Sequence, residues 1–193
     1  MKESAKILTV IMVIIFGFAF IANNSSNNQE EQVQIIPCEK GLVKLVYLKR
    51  SEAAVKVSIL NEAGEILFNE EVSTERGFVN VYDLHNFGSG DYVFKIKDSL
   101  GEVDHKVYFK ENKNMVFCEM GNTGKYRFVM EDVKDLDIDV FNEDNQLLLS
   151  DNIGTRESVN KLFDLSRIVG HDNQDQISFI IKSDNEHFKI ATF

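Results

Sequence analysis

The chain has 193 residues, of which 44% are apolar and 27% charged, and it carries a formal net charge of −10 at pH 7. The apolar content is sufficient for one domain or two small ones. The acidic balance argues against nucleic acid and against an anionic membrane surface as partners, because both attract a basic face. We therefore expect a folded, acidic protein that binds no nucleic acid.

The first 22 residues predict a signal peptide or an N-terminal anchor. Lys2 and Lys6 precede an apolar stretch over residues 7–22, as in a signal peptide. The stretch is shorter than the roughly 20 residues that a spanning helix needs, which favours a cleaved signal over an uncleaved anchor; a buried helix is the third alternative. We expect a protein that is secreted, periplasmic or at the cell surface, with membrane contact only through residues 7–22 if they are not removed.

Residues 23–34, with the sequence NNSSNNQEEQVQ, predict a flexible polar tether. Val33 is the one apolar residue in this segment. Such a composition cannot bury enough surface to offset the entropy that is lost on ordering. The segment should connect the membrane or the cleavage site to the folded part of the chain.

The rest of the chain contains an internal repeat. Val55–Leu84 and Leu136–Leu165 align without a gap, 81 residues apart (136 − 55). The aligned pairs are Val57, Ile59 and Leu67 with Ile138, Val140 and Leu148, Asn61-Glu62 with Asn142-Glu143, and Asp83-Leu84 with Asp164-Leu165. A period of about 80 residues suits a β-sandwich domain better than a solenoid unit. We predict copy one at 35–112 and copy two at 113–193, as separate sandwiches joined near residues 110–114.

Each copy has the pattern of short antiparallel strands. Apolar and polar residues alternate, as in VKVSI at 55–59 and LDIDV at 136–140, which is typical of half-buried strands. Copy one accommodates seven strands, at 33–38, 42–49, 54–60, 65–71, 78–82, 91–97 and 103–109. This spacing predicts an all-β protein with two tandem immunoglobulin-like (fibronectin-like) antiparallel β-sandwiches. Pro37 indicates that the first strand is an edge strand or contains a bulge.

Two positions in this pattern permit specific predictions. Gly64 in the first hairpin corresponds to Asn145 in the second, and Gly and Asn tolerate a left-handed backbone best, so the shared position should have a positive φ. Tyr92 opens a strand whose alternate residues are apolar. It should be a core tyrosine whose hydroxyl reaches the backbone near residues 83–88.

Four features of copy one carry a family resemblance. They are the alternating strand Val55–Leu60, the hairpin Asn61–Gly64, the pair Asp83-Leu84 and the motif Gly90-Asp91-Tyr92. In these features the copy resembles the C-terminal sorting domains of type IX secretion and related immunoglobulin-like modules of bacterial secreted proteins. The resemblance implies the β-sandwich fold and an exported location. Copy two departs from it, because Ile177 stands where Tyr92 would align, and we do not extend the resemblance to a sorting role.

The chain has two cysteines, which we interpret as the same position of the first strand in each copy. Cys38 lies in IIPCEKG and Cys118 in MVFCEMG. Both are expected to pack inward as small apolar side chains. A disulfide would need Cα atoms within about 7 Å, which equivalent points of tandem domains do not normally reach, and lipidation would need a cysteine directly after the apolar segment. An intermolecular disulfide or a reactive thiol stays open.

The other polar residues predict neither a metal site nor a cofactor site. Asp135, Asp137 and Asp139 alternate along a strand and should line a solvated face, whereas a calcium loop would need a Gly at its turn. The histidines lack a metal-ligand spacing and are expected in solvated loops; they are His85, His105, His171 and His187.

No catalytic constellation is apparent in the sequence, since Gly88–Gly90 is not Gly-x-Ser-x-Gly and Glu70 and Glu71 should point to opposite faces of a strand. We expect a non-catalytic interaction or structural module of the cell envelope or surface, without a cofactor. Its partner would be an envelope or extracellular protein or a glycan; the alternative is a small exported hydrolase with an unrecognised site. The candidate binding residues lie in end loops, and they are Asn86, Ser89 and Asp91 in copy one and His171, Asp172, Asn173 and Asp175 in copy two.

Overall fold

The computed structural model describes residues 32–49, 54–120, 124–168 and 176–191. The predicted signal or anchor segment and most of the predicted tether lie outside these ranges. Within them, no helix has the length and apolar character that a membrane crossing requires.

The described residues are mainly antiparallel β-strand. Two short 3-10 turns, Leu84–Asn86 and Glu111–Lys113, are the exceptions among the regular elements. The twelve strands are β1 (Val33–Pro37), β2 (Leu42–Tyr47), β3 (Val55–Asn61), β4 (Ile66–Val72), β5 (Phe78–Asp83), β6 (Gly90–Asp98), β7 (Gly101–Lys110), β8 (Met115–Glu119), β9 (Lys125–Phe141), β10 (Leu147–Asp164), β11 (Ser178–Ser183) and β12 (Glu186–Ala191).

Copy one is a seven-stranded sandwich with the strands that alternation predicts. One layer has the order β1-β2-β5, and the other has the order β4-β3-β6-β7. The fourth strand therefore pairs with the third, whereas in a constant-type immunoglobulin domain it belongs to the layer of the first, second and fifth strands. The arrangement is fibronectin-like. Pro37 lies in β1, at the edge of its sheet, as its missing N–H requires.

Copy two has the same order of pairing, but two pairs of its strands are fused. The first part of β9 pairs with β8 and its last part pairs with β11. The whole length of β10 pairs with β9, with register shifts near Gly154. Thus β9 serves as the second and third strands and β10 as the fourth and fifth. The prediction of an all-β, immunoglobulin-like fold is confirmed.

The two copies share a continuous sheet, which the sequence pattern does not predict. β7 and β8 pair directly, from Val107 with Cys118 to Lys110 with Met115. The turn between them contains Glu111–Lys113 and Asn114, whose φ is 43°. Lys113 also lies 3.5 Å from the carboxylate of Asp184 in copy two. The join is therefore a tight hairpin turn with paired strands on both sides.

β8 contributes one face to each hydrophobic core, so that four successive residues are buried. Val116 and Cys118 pack in the core of copy one, while Met115 and Phe117 pack in the core of copy two. Side chains of a strand alternate between its two faces. A strand with apolar residues on both faces can thus close one sandwich and open the next.

The two cysteines are not equivalent, which corrects the expectation from the sequence. Cys118 is fully buried, and its thiol donates to the carbonyl of Ile35 over 3.7 Å. Burial raises the pKa of Cys118 to about 12, so this thiol is a poor nucleophile at neutral pH. Cys38 lies just beyond β1 on the half-buried face, not in the core. Both thiols are free.

The prediction of a positive φ at the shared hairpin position is confirmed in both copies. Gly64 has a φ of 78° and Asn145 a φ of 58°. In each hairpin an Asn side chain accepts the N–H of the residue four positions on: Asn61 from Glu65 at 2.9 Å and Asn142 from Gln146 at 2.8 Å. The repeat thus preserves a loop geometry as well as an apolar pattern.

The histidine expectation is wrong for His105. This residue lies on the core face of β7, only 3% exposed, and neither ring nitrogen has a hydrogen-bond partner within the part of the chain that the structure describes. Burial lowers its pKa to about 4. His85 is exposed, as expected, and its Nδ1 lies 2.8 Å from Asp83; this hydrogen bond raises the pKa of His85. His187 is also exposed, and His171 lies outside the described ranges.

The alternating aspartates occupy the strand face that points away from the core, as expected, except for the first. Asp137 accepts from Asn152 at 2.5 Å, and Asp139 accepts from Lys182 at 2.7 Å. Asp135 instead has a φ of 45° and lies where the β9–β10 register shifts. Among the described residues, no group of three or more His, Cys, Asp or Glu side chains could hold a metal ion.

Candidate functional site

The predicted binding residues of copy one do not form a single cluster. Asn86 is exposed in the turn after β5, and its side chain donates to the carbonyl of Asp83 at 3.1 Å. The hydroxyl of Ser89 accepts the N–H of Glu111 at 2.9 Å, which ties it to the join between the copies. Asp91 lies exposed at the start of β6. Partial desolvation, and secondarily the charge of Glu62, raises its pKa.

The predicted binding residues of copy two cannot be compared with this arrangement. His171, Asp172, Asn173 and Asp175 lie outside the described residues. Their role in binding stays a prediction.

A different feature, the β4–β5 cleft, is a concave surface of copy one. It has a volume of about 380 Å³ and lies where β4 of one layer passes β5 of the other. Its lining residues are Phe68, Glu70, Val79, Asn80, Val81, Tyr82, Asp83, Asn86 and Phe87. Of the sequence-predicted site residues, Asn86 belongs to this cleft.

Both strands at the cleft are edge strands. Within the described part of the chain, β4 pairs only with β3 and β5 pairs only with β2. An edge strand presents backbone N–H and C=O groups that can pair with another chain. Two such edges from different layers therefore flank one cleft.

Polar contacts between the two strands form the floor of the cleft. The Oε1 atom of Glu70 accepts hydrogen bonds from the hydroxyl of Tyr82 at 2.6 Å and from the amide of Asn80 at 2.9 Å. Desolvation by burial, followed by the hydrogen bond to Glu70, raises the pKa of Tyr82. The phenol hence stays protonated at neutral pH and holds the carboxylate in place.

Apolar side chains form the outer rim of the cleft. β5 is apolar on both faces, because Val79 and Val81, each 56% exposed, point away from the core while Tyr82 points into it. Phe68 and Tyr82 meet edge to face, with their centroids 5.7 Å apart. An exposed pair of valines on an edge strand is a feature that soluble proteins normally avoid.

In the corresponding region of copy two, an ion pair takes the place of the hydrogen bonds of Glu70. Asp151 and Lys161, which occupy the positions of Glu70 and Asn80, form an ion pair. Phe163 replaces Tyr82, and Leu162 is 53% exposed at the position of Val81. Because β10 runs continuously through this region, the fourth and fifth strands are not separated there by a loop such as 73–77.

The groups at the cleft suit hydrogen bonding and apolar contact better than acid–base catalysis. Glu70 is tied to two donors, and Glu71 is exposed on the opposite face of β4, as predicted. General acid–base catalysis needs a titratable group within reach of the substrate and a suitable second group. The geometry instead combines a fixed carboxylate, aromatic rings and open backbone edges.

Sequence reasoning missed this cleft because its residues come from two strands that are adjacent only across the layers. One signal was present in the sequence. In FVNVYD at 78–83, apolar residues occupy both faces, although a strand at the surface of a sandwich normally has one polar face. That pattern predicts either a strand buried on both sides or an exposed apolar patch.

Comparison with known proteins gives no family for this chain. No family model matches it, and no curated protein matches it. Among solved structures, the BSP domain of a biofilm-associated protein matches with 13% identity and a TM-score of 0.34, over 83% of this chain and 29% of that one. The chicken CNTN1 FN1-FN3 domains match with 10% identity and a TM-score of 0.32, over 83% of this chain and 62% of that one.

A third match is to a Group B Streptococcus pullulanase, with 12% identity and a TM-score of 0.25, over 82% of this chain and 23% of that one. The chain thus spans less than two thirds of the length of each of these three proteins. The strand order establishes the fold independently of these likenesses.

Proposed function

We propose that this protein is a non-catalytic interaction module that binds another protein through the β4–β5 cleft of copy one. The observation that carries the proposal is the exposed edge strand β5, which has apolar residues on both faces and lies beside an acidic cleft. Val79 and Val81 expose apolar surface at a sheet edge that pairs with no further strand among the described residues. Burial of such surface by a partner contributes about 25 cal/mol for each Å² removed from water.

We further propose that the partner lies in the cell envelope or outside the cell. This part rests on residues 7–22, whose composition predicts export. The resemblance of copy one to immunoglobulin-like modules of bacterial secreted proteins agrees with this location. A protein partner is favoured over a glycan because the backbone edge and the exposed valines of β5 suit the addition of a strand.

Site-specific photo-cross-linking tests the binding surface. Benzoylphenylalanine would replace Val81 at the cleft or, as a control, Leu100, which is 64% exposed in the β6–β7 turn. The full chain would be irradiated in producing cells, and the fractions that contain cross-linked products would be identified. We expect a discrete envelope or extracellular protein adduct from position 81 and none from position 100.

Equal adducts from both positions, or adducts only with cytoplasmic proteins, would contradict the proposal. An adduct to a glycan alone would replace the protein partner by a sugar. Turnover of a model ester, glycoside or peptide, abolished by Glu70→Gln, would replace the whole proposal by the alternative of a small hydrolase.

A further inference from the structure

We infer that β5 receives an extended peptide in which basic and apolar residues alternate. The peptide adds a strand to the β1-β2-β5 layer, with its apolar side chains on the outer face and its basic side chains in the cleft. This inference rests on the proposed function and specifies the chemistry of the partner.

The register of β5 leaves alternate backbone groups directed outward. Leu84 donates its N–H to the carbonyl of Gly41 at 3.1 Å, which makes these residues a hydrogen-bonded pair. Such pairs alternate with non-bonded pairs along antiparallel strands. From the register of β2 and β5, Phe78, Asn80 and Tyr82 bond to β2, so the N–H and C=O groups of Val79 and Val81 point to the open edge.

An added strand would align its side chains with the two faces of β5. Alternate residues of a strand point to opposite faces of the sheet. One set would therefore lie beside Val79 and Val81, where apolar side chains are favoured. The other set would enter the cleft, beside Phe68 and Glu70.

The cleft side favours a cation. Its lining includes the carboxylates of Glu70 and Asp83 but no Lys or Arg. The two hydrogen bonds of Glu70 both go to Oε1, which leaves Oε2 without a partner among the described residues. Asp83 already binds His85, so Glu70 is the principal anionic contact. The rings of Phe68 and Phe87 supply faces that attract a Lys or Arg side chain.

The charge of the protein disfavours a second copy as the occupant. The chain has a net charge of −10, and like charges oppose self-association at an acidic cleft. An extended partner with positive charges is favoured by the same field. This mode of recognition obtains affinity from main-chain hydrogen bonds and specificity from alternate side chains.

A synthetic peptide provides a direct test, because the chain contains no Trp. The probe is an octapeptide of alternating lysine and valine in which one valine is replaced by tryptophan, and its fluorescence anisotropy is titrated with the full chain. Two control peptides are used. In one, glutamate replaces every lysine; the other is N-methylated at alternate amides, which removes half of its backbone N–H donors. We expect binding of the lysine peptide only, weakened by salt as screening reduces the attraction.

Protein variants identify the site. Glu70→Gln retains acceptors for Tyr82 and Asn80 but removes the charge, and should weaken binding about fivefold or more, the size of a charge contact that is partly desolvated. Glu71→Gln removes the same charge from the opposite face of β4 and should change affinity less than about twofold. Val81→Pro removes an outward N–H without removing a bond to β2, and should abolish binding while circular dichroism stays unchanged.

The outcomes separate this inference from the proposed function. Equal binding of the glutamate peptide, equal effects of Glu70→Gln and Glu71→Gln, or full binding of the N-methylated peptide would overturn the inference. If the lysine peptide does not bind but cross-linking at position 81 still captures an envelope protein, the inference fails and the proposed function stands. If neither occurs, both fail. If Val81→Pro does not fold, the N-methylated peptide still tests whether binding depends on backbone hydrogen bonds.

Discussion

Copy one and copy two have the same order of strand pairing, but their strands are connected differently. In copy one, β4 and β5 are separate strands that flank an open cleft, whereas in copy two the single strand β10 serves both positions. The linking contact also differs, from Glu70 held by Tyr82 and Asn80 to the ion pair of Asp151 and Lys161. The two copies therefore share a framework and differ at the edge formed by their fourth and fifth strands.

The two copies also share the strand β8 between their cores. β8 gives Val116 and Cys118 to one core and Met115 and Phe117 to the other. A strand that is packed on both faces couples the stability of the two sandwiches. The following predictions test how far each copy can be treated alone, in order of decreasing effect.

The largest effect should come from Phe117→Ala. This residue is 4% exposed and packs against Phe179, with 4.8 Å between ring centroids. Removing a buried Phe side chain costs roughly 3 to 5 kcal/mol. Because β8 pairs with β7, we expect faster hydrogen exchange in peptides from both copies, measured by mass spectrometry. Phe94→Ala in copy one is the matched control, and loss of protection confined to copy two would show that the copies unfold separately.

The next largest effect concerns His105 in β7. Its structural counterpart in copy two is Ile190 in β12, as judged from strand pairing. Each lies opposite a buried Phe on the neighbouring strand, Phe94 or Phe179. The folded-state pKa of about 4 is below the unfolded value of about 6.5. Folding thus favours the neutral form of the His105 imidazole. The free energy of unfolding should therefore be highest above pH 6.5 and should fall by about 3 kcal/mol as the pH falls toward 4.

His105→Ile should remove this acid dependence. At pH 7 it should also stabilise the protein by about 1 to 3 kcal/mol, because two buried nitrogens without partners are replaced by an apolar side chain. Urea unfolding followed by circular dichroism at pH 7 and pH 4.5 measures both effects. An unchanged slope of stability with pH in the variant would mean that other groups control the acid response.

A smaller effect is expected at the paired hairpin positions. Gly64→Val should destabilise copy one by roughly 1 to 3 kcal/mol, since a β-branched residue is strained at a φ of 78°. No atom lies within 4 Å of an added Cβ at Gly64, so the cost would be conformational and not steric. Asn145→Gly should be neutral within a few tenths of a kcal/mol. Thermal unfolding of both variants distinguishes the two, and a neutral Gly64→Val would show that the hairpin can rearrange.

The smallest effect should be that of Tyr92→Phe. Tyr92 is 3% exposed and donates its hydroxyl to the carbonyl of Gly88 at 2.5 Å, as predicted, while copy two has the buried Ile177 in its place. Loss of one hydrogen bond should cost about 0.5 to 1.5 kcal/mol without changing binding of the basic peptide. Weaker peptide binding at unchanged stability would place Tyr92 in the binding surface.

Local sequence determined much of this protein. Alternation located the strands of copy one to within a few residues, including the first strand from Val33. Composition also assigned Val33 and Gln34 to the tether, and that assignment is wrong because both residues belong to β1. The Asn61 and Asn142 hairpins and the core position of Tyr92 were predictable because each depends on neighbours in sequence or on a two-residue period. The fibronectin-like fold followed from the number and spacing of these strands.

Tertiary structure alone decided the features that join distant segments. The burial of His105, the opposite environments of Cys38 and Cys118, and the role of β8 in two cores depend on which strands lie side by side. The β4–β5 cleft likewise arises because Glu70 and Tyr82 meet across two layers. A periodic pattern specifies which face of a strand is apolar, but not what that face packs against, since packing partners are chosen by long-range contacts that the local pattern does not encode.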